Sequence, residues 1–292
     1  MPSDLCLTVA AEALVADQQS DGGWGYHKDV PTDADSTAYV LTFLARQIPH
    51  DPSLHAGGQC LLRHQDLSTG GVATYREPKP ILDYMKLPDT VSVKGWCSPH
   101  LEVTAAAGRA FAMLPDMNTA AEAAWRFVER QQQSDGSWFS YWWTLPHYPT
   151  YQAVALGKAL PHVAGTEAAV RRAVEWIIND QSPDGGWAPV RNQAPTPFAT
   201  ALGVAILTET GEPLPALRKG VTRLAEMQLE SGGWASYPVL RVPPPDTVEP
   251  DRHQAWRFNS LGTGVVIRDQ NQLYCTATCL GALAKATRCL NV

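Results

Sequence analysis

The chain has 292 residues, of which 45% are apolar and 18% are charged, and it carries 23 Lys and Arg against 29 Asp and Glu. A net charge of −6 excludes the basic face of a nucleic-acid binder, and no stretch approaches the roughly 18 uninterrupted apolar residues of a membrane span. Six cysteines without a CxxC pair, and a start at Met1 without a basic and apolar leader, predict a cytoplasmic protein with reduced thiols. The ten Trp residues are the unusual feature of the composition.

A short motif recurs five times along the chain. It begins with a glutamine and leads through a glycine-containing turn to a Trp or Val; the glutamines are Gln19, Gln65, Gln133, Gln181 and Gln228, and the end residues are Trp24, Val72, Trp138, Trp187 and Trp234. The end residues are 48, 66, 49 and 47 residues apart, so one unit is repeated and its second copy carries 18 additional residues. Such a period is typical of repeated structural units.

Each repeat is predicted to contain two helices. The run before each glutamine has apolar residues at helical spacing, as in 167–178, and the glycine turn ends this first helix because glycine reaches positive φ without strain. A second helix, rich in Ala and Leu, is predicted to open at Thr37, Thr104, Thr150, Thr200 and Thr276. The second helices carry almost no charge, so we expect them to form a buried inner layer.

Two connections between the turn and the second helix are long, at about 73–99 and 235–272. Each contains a cluster of prolines and a tryptophan, Trp96 or Trp256. Because loops of this length in a compact domain usually have a function, we interpret them as lid-like connections of a single domain that spans residues 1–292.

The repeated Gln…Gly-Gly-Trp unit, with Arg172, Trp176 and Ile177 before its fourth copy, resembles the QW repeat of squalene–hopene cyclases, oxidosqualene cyclases and related class II terpene cyclases. The similarity to the β subunits of protein prenyltransferases is weaker. The resemblance implies an all-α fold, an (α/α) toroidal barrel of helical hairpins. Ten helices form five pairs, one fewer than is usual in that fold, so either an insert supplies the sixth pair or the ring is incomplete.

The resemblance also points to a general acid. Class II cyclases carry an Asp-x-Asp-Asp-Thr-Ala-like motif whose middle Asp protonates an alkene or an epoxide, and this sequence has Asp33-Ala-Asp35-Ser36-Thr37 followed by Ala. By resemblance Asp35 is the acid, and Asp33 and Ser36 orient it. Ser36 departs from the pattern, which leaves open whether the acid can protonate an unactivated alkene.

An aspartate at a helix start can also act as a cap, so the repeats serve as an internal comparison. Two residues before the threonine stand Asp35, Glu102, Tyr148, Phe198 and Tyr274. Because Tyr and Phe do not cap helices, this position is predicted to line a cavity, whereas Asp33 is suited to a capping or supporting role.

Glu102 stands at the position of Asp35 in the next repeat, and three roles for it are open. It could form an acid–base pair with Asp35, serve as the base that ends a cyclisation, or cap its own helix. His100 or His147 could hydrogen-bond the acid.

Carbocations are stabilised by aromatic faces, and the sequence offers a set of candidates for substrate binding. They are Phe139, Tyr141, Trp142, Trp143, Tyr148, Phe198, Tyr274, Trp96 and Trp256. Core packing is the alternative for each of them. The expected ligand is a small-molecule isoprenoid, and a homo-oligomer or a partner domain could close the cavity.

No cofactor is expected, except Mg²⁺ if the substrate is a diphosphate, whose phosphates could pair with Arg241, Arg252, Arg257 or Arg268. Other interpretations of the function stay open. A prenyltransferase-like zinc site would use Cys275 and Cys279, and a glycosidase would use Asp35 with Glu102. The main alternative is a non-catalytic isoprenoid- or lipid-binding module of the same fold.

Overall fold

The computed structural model describes residues 4–211, 215–259 and 262–290. The chain divides into two compact units, the first composed of Met1–Arg130 with Pro245–Glu249 and the second of Gln131–Pro244 with Pro250–Val292. Within the described ranges, no helix is both long and apolar enough to cross a membrane.

The first unit contains the helices of the first repeats. They are α1 (Asp4–Ala16), α2 (Ala34–Gln47), α3 (Pro52–Arg63), α4 (Pro78–Met85), α5 (Leu101–Phe111) and α6 (Asn118–Glu129). The short helix α4 lies in the first long connection, for which the sequence analysis predicts no helix. It begins with a proline, whose fixed φ and missing N–H suit a first helical turn.

The second unit contains five helices and a small sheet. The elements are α7 (His147–Ala159), α8 (Thr166–Asn179), α9 (Pro197–Thr208), α10 (Pro215–Glu226), β1 (Pro238–Val242), a 3₁₀ turn (Pro250–Arg252), β2 (Arg257–Phe258), β3 (Val265–Arg268) and α11 (Leu273–Leu290). The strand order is β1-β3-β2, with β3 antiparallel to β1 and parallel to β2. The sheet occupies the second long connection and is an addition to the predicted helices.

Three of the second helices, α5, α7 and α9, are largely buried as predicted, most completely α9, in which every residue from Phe198 to Leu207 is buried. The prediction of full burial is wrong for α2 and α11, which are buried on one face only; in α11 the buried residues are Cys275, Cys279, Ala282 and Ala286, and Tyr274 is 62% exposed.

The starts of the second helices differ from the prediction. The helices α2, α5, α7, α9 and α11 begin three residues before the threonine rather than at it. The threonine hydroxyl explains the difference, because one turn into the helix it accepts a hydrogen bond from the backbone N–H that ends the turn, as in Thr37 with Trp24 (3.0 Å) and Thr200 with Trp187 (3.1 Å).

The motif glutamine joins successive repeats through its side-chain amide. Nε2 of Gln181 donates to the carbonyl of Gly185 in its own turn (2.8 Å) and to that of Ala216 in the first turn of α10 (2.9 Å). Gln65 makes the corresponding pair of bonds to Gly70 and Ala120, both 3.0 Å. The amide thereby satisfies one turn carbonyl and one helical carbonyl at once.

In two repeats the glutamine that makes these bonds precedes the one that the sequence analysis placed at the start of the motif. Gln18, not Gln19, bonds Gly22 and Ser53, and Gln132, not Gln133, makes the corresponding bonds in its repeat. The interval from Gln181 to Trp187 is six residues, and the same interval selects Gln18 and Gln132.

The neighbouring pair Gln132 and Gln133 allows a matched test of this tie. Gln132→Ala removes the bonds to Gly136 and Ala169 and the bond that Gln132 accepts from Arg172. The partly exposed Gln133 side chain donates to the nearby Gln131 carbonyl within its own turn. We expect Gln132→Ala to lower the free energy of unfolding by about 1–3 kcal/mol, and Gln133→Ala by less than about 0.5 kcal/mol. Thermal unfolding of the two variants measures the difference, and equal effects would contradict the assignment.

Candidate active site

Asp33 is the N-cap of α2 in the first unit. Its backbone is extended (φ −126°, ψ 151°), and its carboxylate accepts hydrogen bonds from the Ser36 N–H (2.7 Å) and the Ser36 hydroxyl (2.8 Å). Burial raises the pKa of Asp33 to about 6, although the Ser36 bonds act in the opposite direction. Ser36 therefore supports Asp33 and turns its hydroxyl toward that carboxylate.

Asp35 lies in the first turn of α2, two residues after this cap. Its Oδ1 atom is buried and has no hydrogen-bond partner among the described residues, although the residue as a whole is only partly buried. Burial raises the pKa of Asp35 well above its usual value, and the charges of Asp33 and Glu102 raise it further. The site thus contains a carboxylic acid that favours its protonated form and whose Oδ1 is not committed to a neighbour.

Glu102 occupies the same position in α5 that Asp35 occupies in α2. It is 1% exposed and lies in the first turn of the helix. Its negative charge is one of the two that oppose ionisation of Asp35. The two carboxyls are thus coupled electrostatically, and the three roles considered for Glu102 stay predictions.

His100 holds the backbone around Glu102. Its Nε2 lies 2.9 Å from the Gly95 carbonyl, and its Nδ1 lies 2.8 Å from the Thr74 hydroxyl. Because a carbonyl only accepts, Nε2 carries the hydrogen and Nδ1 accepts from Thr74. Burial lowers the pKa of His100 to about 3, so the ring is neutral.

His147 belongs to the second unit, at the start of α7. Its Nε2 is 3.2 Å from Oδ2 of Asp180, an ion-pair distance without hydrogen-bond geometry, and its ring centre is 5.2 Å from that of Trp176. These contacts place His147 in the packing between α7 and α8.

Trp96 is buried in the first unit and contacts a second aromatic residue that the sequence analysis did not select. The ring centres of Tyr75 and Trp96 are 6.4 Å apart. Burial raises the pKa of Tyr75, and the charge of Asp33 adds to this effect, so Tyr75 lies within the electrostatic reach of the residue that caps α2. A tyrosine in a long connection carries no periodic pattern by which it could have been selected.

An aromatic cluster surrounds Trp143 in the second unit. The Trp143 ring stacks on that of Tyr148, with 4.0 Å between ring centres, and lies nearly parallel to the Phe198 ring, with 5.6 Å between centres. The centre of the Tyr274 ring is 6.0 Å from that of Trp143, and the two ring planes are inclined by 61°. Tyr148, Phe198 and Tyr274 stand at the same repeat position as Asp35 and Glu102. The structure therefore brings together three of the five residues that the internal comparison selected.

The other predicted aromatic residues of the second unit lie outside this stack. Trp142 packs edge-on against Tyr141 at 4.9 Å, and Trp256 contacts His253 at 4.8 Å. Phe139 is 57% exposed. A role in substrate binding stays a prediction for these residues.

The arginines of the second long connection differ from one another. Arg252, Arg257 and Arg268 are exposed, but Arg241 is buried in β1 with its guanidinium bonded to protein acceptors. Each nitrogen of the Arg241 guanidinium donates to a protein acceptor, which leaves fewer N–H groups for a phosphate. Phosphate binding stays a prediction for all four arginines.

The sulfur atoms of Cys275 and Cys279 face backbone carbonyls, those of Ala235 (3.2 Å) and Pro197 (3.7 Å). Among residues 4–211, 215–259 and 262–290, no group of three or more His, Cys, Asp and Glu side chains could hold a metal ion. The described residues give no support to the zinc alternative.

Comparison with known proteins establishes the family of the chain. Residues 26–240 match the sequence profile of the squalene–hopene cyclase C-terminal domain. The chain belongs to this family. The drimenyl diphosphate synthase of Streptomyces showdoensis is 31% identical over 251 residues, which are 82% of this chain and 43% of that protein. The squalene–hopene cyclase of Zymomonas mobilis is 28% identical over 73% of this chain and 36% of its own length.

The chain thus spans less than half the length of these curated relatives. Among solved structures, the type II terpene cyclase MstE from Scytonema, in a complex with geranylgeranyl dihydroxybenzoate described as substrate, matches with a TM-score of 0.86 and 28% identity. That match covers 98% of this chain and 83% of MstE. The predicted fold class, the α/α barrel of the class II terpene cyclases, is confirmed, with the three-stranded sheet as an addition.

The raised pKa of Asp35 predicts a pH-dependent effect on stability. The folded protein binds the Asp35 proton more tightly than the unfolded chain, so this residue lowers the free energy of unfolding progressively as pH rises above about 4. The asparagine in Asp35→Asn does not titrate. We expect the Tm of the variant minus that of the wild type to increase between about pH 4 and pH 8, by a few °C.

Asp51→Asn is the matched control, because Asp51 caps α3 at a partly exposed position. Its pKa is lowered by the bonds from Ser53, so the stabilisation by its charge is complete above the unfolded pKa of about 4, and the Tm difference should stay nearly flat between about pH 5 and pH 8. A flat profile for Asp35→Asn, measured by thermal unfolding across this pH range, would rule out a raised pKa at Asp35.

Proposed function

We propose that this chain is a class II terpene cyclase, in which Asp35 protonates an isoprenoid or a prenylated small molecule and so starts a cyclisation. The observation that carries the proposal is the carboxyl of Asp35, whose Oδ1 is buried and unpartnered and whose ionisation is opposed by burial and by two like charges. General acid catalysis needs a carboxyl that keeps its proton until it meets the substrate. Membership of the squalene–hopene cyclase family supports the same reaction type.

The reaction begins with transfer of the Asp35 proton to an alkene carbon or an epoxide oxygen. On an alkene, the π electrons form the new C–H bond and leave a carbocation on the neighbouring carbon. On an epoxide, the oxygen takes the proton, a C–O bond breaks, and the carbon of that bond becomes the carbocation. A further double bond attacks the cation and closes a ring, and loss of a proton or addition of water ends the sequence. Asp35 is left as a carboxylate and regains its proton from solvent.

The residues near Asp35 have different supporting roles in this proposal. Asp33 is fixed by its two bonds from Ser36 and caps α2, which sets the direction of the first helical turn. Glu102 raises the pKa of Asp35 through its charge. In this proposal Asp33, Ser36 and Glu102 are positioning and electrostatic residues, and Asp35 alone gives its proton to the substrate.

The cluster around Trp143 is proposed to stabilise the cationic intermediates. The faces of Trp, Tyr and Phe attract a cation by about 0.5–2 kcal/mol each, more when water is absent. Trp143, Tyr148 and Phe198 present a stacked, largely buried group of such rings. They carry no lone pair that would readily trap the cation, except for the Tyr148 hydroxyl.

Two classes of substrate are supported by the relatives. MstE is described with a geranylgeranyl dihydroxybenzoate, and other relatives are named as drimenyl or copalyl diphosphate synthases. The engagement of Arg241 within the protein favours a prenylated substrate without a diphosphate, for which no cofactor is required. With a diphosphate, Mg²⁺ would neutralise the phosphates together with exposed arginines such as Arg257.

The oligomeric state and cellular location stay predictions.

The reaction is tested by product formation in D₂O. Purified wild type, Asp35→Asn and Asp51→Asn are incubated with prenylated dihydroxybenzoates, prenyl diphosphates and epoxidised isoprenoids, and extracts are analysed by mass spectrometry. We expect wild type and Asp51→Asn to form a cyclic isomer with one deuteron on carbon, and Asp35→Asn to lose at least about 1,000-fold in rate because the proton donor is gone. A cyclic product without carbon-bound deuterium indicates epoxide opening.

Cyclisation by Asp35→Asn at the wild-type rate would refute Asp35 as the acid. Tight binding of one of these compounds by the wild type without any turnover would favour the binding-module alternative.

Glu102→Gln tests the electrostatic role of the second carboxyl. The protonated fraction of Asp35 falls as pH rises through its pKa, so kcat should fall on the alkaline side. Removal of the Glu102 charge lowers the pKa of Asp35, and we expect the alkaline limb to move to lower pH. If Glu102 were the terminating base instead, the variant would change the product and leave this limb in place.

A further inference from the structure

Arg241 is a buried arginine in β1, 5% exposed, whose guanidinium reaches back to the aromatic segment 139–144. Its Nε donates to the carbonyl of Tyr141 at 2.9 Å, and one of its terminal nitrogens donates to the carbonyl of Ser140. These two acceptors lie about 100 positions away in sequence. The planar fork of an arginine presents its donors in a fixed geometry that suits two successive carbonyls, whereas the ammonium of a lysine is a compact point charge without such a fork.

The backbone of β1 reinforces the same contact. The Arg241 N–H donates to the Trp142 carbonyl at 2.8 Å, and the Thr144 N–H donates to the Val239 carbonyl at 2.9 Å. Leu240 is paired with Trp143 in an antiparallel bridge. The segment 142–144 therefore runs along β1 as a short additional strand.

This segment contains Trp143, the residue at the centre of the aromatic cluster. The Trp143 N–H donates to the Ser140 hydroxyl at 3.0 Å, so the turn whose carbonyls Arg241 binds is the turn that sets the Trp143 backbone. The Trp143 ring then stacks on Tyr148 and Phe198. A shift of this turn would move the ring against both neighbours.

Arg241 also holds the second long connection itself. Its Nη1 pairs with Oδ1 of Asp251 at 2.7 Å, and its guanidinium carbon lies 5.7 Å from the centre of the Trp256 ring. One side chain thus ties together three segments: β1, the turn at 140–143 and the segment 251–256.

We propose that Arg241 is a positioning residue that fixes the Trp143 ring and couples it to the long connection, so that the fate of the carbocation depends on an arginine outside the aromatic cluster. The predicted effect of Arg241 on the reaction rests on the proposed function, whereas its predicted effect on the structure does not. With Arg241 in place, Trp143 faces the intermediate in one orientation, and the second long connection stays in a position that excludes water. Without it, the ring samples several orientations and water gains access.

The test compares Arg241→Gln with Arg191→Gln, a variant of an arginine that is exposed in the second unit. Hydrogen–deuterium exchange is followed by mass spectrometry for peptides that cover 140–145 and 239–243. In Arg241→Gln we expect these amides to exchange at least about 10-fold faster, with no change at α8 or α9. Arg191→Gln should exchange like the wild type.

The second readout is the ratio of products on the substrate that wild type cyclises. We expect Arg241→Gln to lose about 10- to 100-fold in kcat and to raise the share of partially cyclised or hydroxylated products several-fold. A purely structural role would lower the amount of folded protein without moving this ratio. If Arg241→Gln does not fold, Arg241→Lys, which keeps the charge but reaches fewer acceptors, is measured in the same way, with an intermediate effect expected.

Wild-type exchange at 140–145 in Arg241→Gln, or faster exchange with an unchanged product ratio, would overturn the inference. If wild type cyclises nothing while exchange in Arg241→Gln rises as expected, the proposed function fails and the structural tie made by Arg241 stands.

Discussion

The paired hydrogen bonds of the motif glutamine are the interaction on which the rest of the structure depends. In four repeats one side-chain amide joins its own turn to the first turn of a helix in the next repeat, at Ser53, Ala120, Ala169 and Ala216. In every repeat the N–H that ends the turn then bonds the threonine hydroxyl of the second helix. The turn thus sets both the spacing of the repeats and the rotation of each second helix.

This constraint explains why one position carries so much of the candidate site. Two residues before the threonine, the second helix of each repeat presents a side chain from an equivalent position in its first turn. The first unit places two carboxyls there, Asp35 and Glu102; burial raises the pKa of Asp35, and the charges of Asp33 and Glu102 raise it further. The second unit places Tyr148, Phe198 and Tyr274 there, around Trp143. The scaffold is uniform, and the chemistry differs because the side chains at this position differ.

The sequence predicted the repeats and the second helices because each is recorded in local spacing. Asp35 was selected through the resemblance of its motif and through the comparison of the repeats, and its role as the acid stays a prediction. The sequence analysis misplaced the motif glutamine in two repeats because two glutamines are adjacent there, and only the constant six-residue interval to the tryptophan distinguishes them. The sheet and the role of Arg241 could not be predicted, since β1 pairs with residues more than 20 positions away and Arg241 is buried by carbonyls about 100 positions away. An arginine in a proline-rich connection carries no local feature that indicates such burial.

The central claim is that Asp35 holds its proton at neutral pH, and infrared difference spectroscopy tests it most directly. Spectra of wild type and Asp35→Asn, both labelled with ¹³C at aspartate carboxyls, are subtracted at pH 7. The account predicts an isotope-shifted C=O stretch of a protonated aspartic acid that is present in the wild type and absent from the variant. A difference spectrum that contains only carboxylate bands would show that Asp35 is ionised and would contradict the proposed role of the acid.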